Sequence, residues 1–135
     1  MSLSPAPAVL ITSARLTIGE KAVLWGASWP RASAFLARQG LESAVGLLWT
    51  GDLATMNDAS FADQLVCLPL FLGDVELARD VRYTWKALSA ACHAHSYELA
   101  PTLGELEGWI DTVEQLITRI AAKLNQSPRS LLGDL

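Results

Sequence analysis

Hydrophobic positions recur at helical spacing in one segment after another of this 135-residue chain. The clearest case is 77–93, where one set of side chains falls in a narrow sector of a helix that turns about 100° per residue. That apolar sector contains Leu77, Val81, Trp85, Leu88 and Cys92. The opposite side, which we call the basic stripe, contains Arg79, Arg82, Lys86, Ser89 and His93. The pattern predicts a helix that begins after Asp74 and ends around 95–99, with one core face and one cationic face.

A second strong pattern predicts the last helix, over 102–124. Its apolar residues alternate steps of three and four, a period of about 3.5 that is typical of helix bundles; they are Leu103, Leu106, Ile110, Val113, Ile117, Ile120 and Leu124. Thr102 and Glu105 have the spacing of a capping box at its start. Arg119 and Lys123 lie near its end, where positive charges interact favourably with the helix dipole.

Three more helices are predicted ahead of these two, over 13–26, 30–49 and 61–72, with a loop at 50–59. Ser28, Ser60 and Asp74 are candidate N-caps, and Pro30 suits a first helical turn. Pro69 should kink or split the third helix. The fold prediction is all-α, a single-domain antiparallel bundle of four to five helices. We expect a flexible N-terminal segment at 1–12, the bundle at 13–124 and a tail at 125–135.

Small residues are frequent in the predicted second helix. Gly40 and Ala44 would let another helix approach closely, and glycine inside a helix otherwise costs stability. The approaching helix belongs either to the same subunit or to a second one. We expect a homodimer in which these residues lie at the subunit contact.

Composition narrows the class of protein. Hydrophobic residues make up 51% of the chain, enough for a substantial core, and the net charge of −4 argues against a general DNA or RNA binder. Cys67 and Cys92 lie in predicted helices and do not suggest a disulfide framework. No segment approaches the ~20 apolar residues that span a bilayer. We therefore expect a cytoplasmic protein without membrane contact.

The candidate chemistry lies around two histidines. His93 and His95 are about 200° apart on a helix, so they do not hold one metal ion together, and we expect neither a metal nor a cofactor. His93, in line with Lys86 and Arg82, suits acid–base catalysis beside a bound phosphate. Further candidate binding residues are Arg79, Ser89, His95 and Tyr97.

A less specific interpretation competes with this one. Arg79, Arg82 and Lys86 would then be a solvated face that pairs with nearby acids such as Glu76 and Asp80, or would be held by acids of a neighbouring helix or subunit. The acidic net charge favours this interpretation. A separate hypothesis places a protein partner at a groove formed by Trp49, Trp25 and the loop 50–59, provided that these tryptophans are exposed.

The order of elements over 31–124 resembles the HEPN superfamily, small helical bundles that usually pair through their helices. The resemblance rests on a first helix at 31–42, a central apolar helix, and the histidine-bearing segment 85–99 ahead of a capped terminal helix. In nuclease members an arginine, four to six residues and a histidine supply the RNA-cleaving site. Here ten residues separate Arg82 from His93, and the cation at the family's spacing is Lys86. Lysine lacks the planar fork of arginine.

The resemblance therefore implies a HEPN-like dimer with a degenerate nuclease motif. The favoured hypothesis is a non-catalytic binding or regulatory module for a protein or RNA partner. The alternative hypothesis is a metal-independent endoribonuclease, of a toxin or defence system, that uses His93 with Arg82 or Lys86.

Overall fold

The computed structural model describes residues 6–19, 28–93 and 99–133, with side chains up to residue 125. Its helices are α1 (Pro7–Gly19), α2 (Trp29–Gly46), a 3-10 helix (Gly51–Asp58), α3 (Phe61–Leu72), α4 (Val75–Cys92) and α5 (Leu103–Gly133). The described residues contain no strand, and the all-α class is confirmed. They contain six helices rather than four to five, because the segment predicted as a loop at 50–59 forms the 3-10 helix.

Contacts between sequence-distant residues show that neighbouring helices run antiparallel. The Ser33 hydroxyl of α2 donates to the Ala14 carbonyl of α1 at 3.2 Å, whereas Gly40, further along α2, lies against Leu10, nearer the start of α1. A groove near the end of α4 borders the start of α5, and a second groove near the start of α4 borders the middle of α5. The chain therefore packs as an antiparallel bundle around one core.

Gly40 is buried in the contact between α1 and α2. A Cβ at this position would lie 3.5 Å from the Leu10 Cβ and 3.6 Å from the Pro7 carbonyl oxygen. Ala37 and Ala44, which precede and follow Gly40 on α2, are fully buried in the core. The small residues therefore bring two helices of one subunit together. Gly40 and Ala44 were expected at a contact between subunits. This expectation is wrong for Gly40, which packs against α1 of its own subunit.

Several predicted boundaries differ from the structure. The first helix begins at Pro7 rather than at residue 13, because Leu10, Ile11 and Ala14 form a face that packs into the core. Helix α2 ends at Gly46 instead of Trp49, and helix α4 ends at Cys92 rather than around 95–99. Helix α5 continues to Gly133, past the predicted end at residue 124. The predicted helical segment at 20–26 lies outside the described residues.

The cap predictions are mostly confirmed. Ser60 accepts from the Asp63 N–H at 3.1 Å, and Asp74 accepts from the Leu77 N–H at 3.0 Å. The Thr102 hydroxyl accepts from the Glu105 N–H at 3.1 Å while the Glu105 carboxylate accepts from the Thr102 N–H at 2.9 Å, which completes the capping box. Ser28 makes no side-chain cap bond, although Pro30 does lie in the first turn of α2.

The turn between α3 and α4 is fixed from α5. Gly73 has a φ of 72°, a left-handed conformation that glycine adopts without strain. The Arg119 guanidinium donates to the carbonyls of Leu72 and Gly73 at 3.3 and 3.4 Å. A cation at this position is also attracted to the C-terminal end of α3, which is the negative end of the helix dipole. Helix α4 therefore starts from a well-defined corner.

Helix α3 is one continuous helix with Pro69 inside it. Its buried side consists of Gln64, Leu65, Leu68 and Leu72, while Val66 and Leu70 on the other side are exposed. Helix α3 is therefore apolar around most of its surface but buries one face. In the described part of the chain, no helix is both long and apolar enough to cross a membrane.

Candidate functional site

The two faces of α4 are arranged as the hydrophobic pattern indicates. Leu77, Val81 and Leu88 are buried, and Trp85 and Cys92 are partly buried and pack against the core. On the other side, Arg79, Arg82 and Lys86 are all exposed. None of the three forms an ion pair with an acid among the described side chains. The expectation that carboxylates of a neighbouring helix hold these cations is therefore wrong within that part of the structure, and pairing with acids of a second subunit stays a prediction.

Ser89 does not share the exposure of the basic stripe. Its hydroxyl oxygen is buried and has no hydrogen-bond partner among the described residues. Ser89 is only about 60° from Cys92 around the helix, so it lies at the margin of the apolar sector. A surface ligand does not reach a hydroxyl in this position. The prediction of Ser89 as a binding residue is therefore wrong, and Ser89 lies at the boundary of the core.

His93 forms the C-terminal cap of α4. Its backbone N–H donates to the carbonyls of Ser89 and Ala90, both at 3.2 Å. Its ring is exposed, and its Nε2 lies 3.4 Å from a terminal guanidinium nitrogen of Arg38 on α2. A guanidinium nitrogen only donates, so a hydrogen bond at this contact uses Nε2 as the acceptor. The geometry therefore places the His93 ring beside the Arg38 cation.

Arg38 is the residue that organises this end of the bundle. Its Nε donates to Glu42 Oε2 at 3.1 Å, and the Trp85 indole N–H donates to the same oxygen at 2.9 Å. The guanidinium carbon lies 5.9 Å from the centre of the Trp85 ring, within the range of a cation–π contact. Arg38 therefore links α2 to both His93 and the core-side tryptophan of α4.

Cys92 also meets this cluster but is not activated by it. Burial raises the pKa of the Cys92 thiol, and the charge and hydrogen bond of Arg38 offset this only in part. A thiol with a raised pKa is a poor nucleophile at neutral pH, because the thiolate is the reactive form. Cys92 therefore acts as a packing residue at the edge of the core.

The predicted catalytic set is not brought together. At about 1.5 Å of rise per residue, Arg82 lies about 16 Å and Lys86 about 10 Å from His93 along the axis of α4. The cation beside the histidine is Arg38, a residue that the sequence reasoning missed. The signal available in the sequence was only the Arg38–Glu42 spacing of four residues. His95 and Tyr97 lie outside the described residues.

A groove runs along α4 next to the basic stripe. Tyr83, also missed by the sequence reasoning, is 71% exposed and forms one wall. The groove has a volume of about 480 Å³ and separates α4 from the segment that leads into α5. Its wall on α5 includes Trp109, which is partly buried. An exposed aromatic ring beside unpaired cations is a common feature of interaction surfaces.

Trp49 does not anchor a partner. Its side chain is 2% exposed, its indole N–H donates to Gln64 Oε1 at 2.9 Å, and its ring meets Phe71 edge-on at 5.4 Å. Asn57 of the 3-10 helix closes this region by donating to the Trp49 carbonyl at 3.1 Å. Trp49 therefore belongs to the core and does not have the exposure on which the predicted partner groove depends. Trp25, the other tryptophan of that hypothesis, lies outside the described residues.

Among the described side chains, no group of three or more His, Cys, Asp or Glu residues is placed to hold a metal ion. A scan of the chain against protein-family models finds no match. Searches of curated proteins and of solved structures find no match either. Functional inference therefore rests on the geometry of α4 and the helices next to it.

Proposed function

We propose that this chain is a non-catalytic binding and regulatory module that holds an anionic region of a protein or RNA partner against α4. One observation carries the proposal: Arg79, Arg82 and Lys86 are exposed on one face, and no described carboxylate pairs with them. Unpaired cations on one face create a local positive potential even on an acidic protein. A partner with several negative charges gains from all three at once.

The spacing of these cations suits an extended partner. Along the axis of α4, about 4.5 Å separates Arg79 from Arg82 and about 6 Å separates Arg82 from Lys86. Alternate side chains of an extended peptide are about 6.6–6.8 Å apart. Long, flexible arginine and lysine side chains absorb the remaining difference. The stripe therefore fits a short run of negative charges better than a single small anion.

The test replaces two of the three cations, as Arg82→Ala with Lys86→Ala. Binding is measured by fluorescence anisotropy at low salt, with a labelled 20-nucleotide single-stranded RNA and a labelled ten-residue glutamate peptide. We expect the affinity for whichever probe the wild type binds to fall about tenfold, as two lost charge contacts of ~0.7 kcal/mol each would give. The melting temperature should change by less than about 2 °C, because exposed charges without partners contribute little to folding.

Lys123→Ala on α5 is the matched control for Lys86→Ala, since it removes the same charge from a different surface. It should leave the affinity unchanged. If the double variant binds both probes as tightly as the wild type, the basic stripe is not a binding surface. A lower melting temperature with unchanged binding would instead assign these cations to folding.

The second candidate function is metal-independent RNA cleavage, and the contact between Arg38 and His93 favours it. An imidazole nitrogen such as His93 Nε2 can serve as a general base, and the Arg38 guanidinium beside it can bind a phosphate. Incubation of the purified protein with mixed RNA in the presence of a chelator tests this. Cleavage that disappears in both Arg38→Lys and His93→Ala would support the enzyme, and intact RNA with folded wild-type protein would contradict it.

The resemblance in sequence also supports a HEPN-like architecture, and homodimerisation remains part of this proposal. Because Gly40 is used within the subunit, a dimer would have to form through another surface. Sedimentation at micromolar concentration tests the dimer directly. A single monomeric species up to about 100 μM would remove it.

A further inference from the structure

We propose that the groove between α4 and the start of α5 seats one large apolar side chain of an acidic peptide segment. This inference rests on the proposed function, because the acids of the peptide would pair with the basic stripe. Tyr83, Ala87 and Ala90 of α4 line one side of the groove, and Leu99, Thr102 and Trp109 line the other. Its volume of about 480 Å³ lies within the ~300–1,000 Å³ that is usual for ligand sites.

The groove is open because of the residues that form its floor. Ala87 and Ala90 have no atoms beyond Cβ, so the surface of α4 is low between the rings of Tyr83 and Trp109. Tyr83 and Leu99 are strongly exposed at the edges, at 71% and 97%. Apolar side chains left exposed around a depression gain free energy when another apolar group covers them.

The position of the stripe determines which charges the peptide must carry. Tyr83 is four residues after Arg79, and Ala90 is four residues after Lys86, so these two groove residues lie beside cations on the helix surface. Arg82 extends the positive surface away from the groove. Acids that flank an anchored apolar residue would therefore reach unpaired cations. Glu76 and Asp80 are both exposed on the other side of Tyr83. Their carboxylates would repel the acids of the peptide, which would therefore lie on the side of the basic stripe.

The polar groups of the groove argue for an apolar side chain rather than a nucleobase. Thr102 and Glu105 are already engaged with each other in the capping box. A base carries donors and acceptors along its edge, and leaving them without partners costs about 1–3 kcal/mol each. A leucine, phenylalanine or tryptophan side chain does not need such a set of hydrogen-bond partners in the groove.

The experiment uses full-length protein and a labelled peptide with one tryptophan between two pairs of glutamates. The groove is filled by Ala90→Trp, and Ala62→Trp on the exposed side of α3 is the matched control. We expect Ala90→Trp to weaken peptide binding at least tenfold and Ala62→Trp to leave it unchanged. Tyr83→Ala, which removes an exposed ring, should weaken binding without changing the melting temperature. Replacing the peptide tryptophan with alanine should weaken it by a similar factor.

The same single-stranded RNA probe separates this inference from the proposed function. RNA held by charge alone should respond to Arg82→Ala with Lys86→Ala and not to Ala90→Trp. If the peptide binds equally well to the wild type and Ala90→Trp, the groove is not its site and the inference is overturned. It is also overturned if RNA binds the stripe but the peptide does not, an outcome that leaves the proposed function standing. If neither probe binds, both proposals fail.

Discussion

The packing of α1 against α2 depends on Gly40, and substitutions there give a sharp prediction. Gly40→Ala places a Cβ 3.5 Å from the Leu10 Cβ and 3.6 Å from the Pro7 oxygen, which is ordinary van der Waals contact. Alanine also gains about 0.8–1 kcal/mol of helix propensity over glycine. We expect a stabilisation of about 1 kcal/mol, or an increase of about 3–4 °C in the melting temperature of a chain of this length.

Gly40→Leu should have the opposite effect. Three further carbon atoms would enter a contact in which the Ile11 nitrogen lies 3.7 Å from the Cβ position. Overpacking of this kind typically costs about 1–3 kcal/mol, so the melting temperature should fall by about 4–10 °C. Urea unfolding of wild type and both variants, followed by tryptophan fluorescence, measures the differences.

Sedimentation velocity on the same samples tests the reasoning behind this prediction. Because the contact lies within one subunit, neither substitution should change the oligomeric state. A Gly40→Leu variant of unchanged stability that loses a dimer would refute the intrachain role of Gly40. If Gly40→Ala melts several degrees lower than the wild type, α1 and α2 are too close together at this position to admit a Cβ, which contradicts the prediction.

Three other substitutions test separate parts of the account. Trp49→Phe should cost about 1–3 kcal/mol in urea unfolding, because Gln64 Oε1 loses its buried donor. Asp74→Ala should cost about 1 kcal/mol, because the Leu77 N–H loses its cap. Folding raises the pKa of the Cys92 thiol above its ordinary value of 9.0, because the thiol is partly buried. Its contribution to the free energy of unfolding should therefore be present below about pH 9 and lost as the pH rises further. Cys92→Ala should not show this loss of stability at high pH.

Each of these has a result that would contradict it. Unchanged unfolding of Trp49→Phe would mean that the indole N–H has little energetic role. An Asp74→Ala variant as stable as the wild type would mean that the cap at the start of α4 is replaced by solvent. Parallel stability curves for wild type and Cys92→Ala between pH 8 and 10 would show that folding does not perturb this thiol.

The strongest helices were predictable because several local signals agree. Helix α4 has a contiguous apolar sector and Asp74 at its N-cap, and α5 combines a capping box with a regular apolar seam. Helix α1 was misplaced because its mixture of small and apolar residues gives little periodic contrast. The glycine and alanines of α2 correctly predicted a close helix contact. Sequence alone did not identify α1 as the partner, because that choice depends on tertiary packing.

The candidate site was predictable only where it lies on one helix. Periodicity along α4 placed Arg79, Arg82 and Lys86 on one exposed face. It did not reveal Arg38, which is 55 positions from His93 and reaches it only because α2 and α4 pack side by side. The groove beside Tyr83 was missed for the same reason, since its second wall comes from the segment 99–109.

The salt dependence of binding tests the central claim most directly. The affinity for the labelled single-stranded RNA is measured from about 25 to 200 mM salt, for the wild type and for Arg82→Ala with Lys86→Ala. Each cation that neutralises a phosphate contributes about 0.7 to the slope of log affinity against log salt concentration. The account predicts a wild-type slope of about −2 and a double variant whose slope is smaller in magnitude by about 1.4. Equal slopes for the two proteins, or wild-type binding that does not depend on salt, would contradict the assignment of α4 as an anion-binding face.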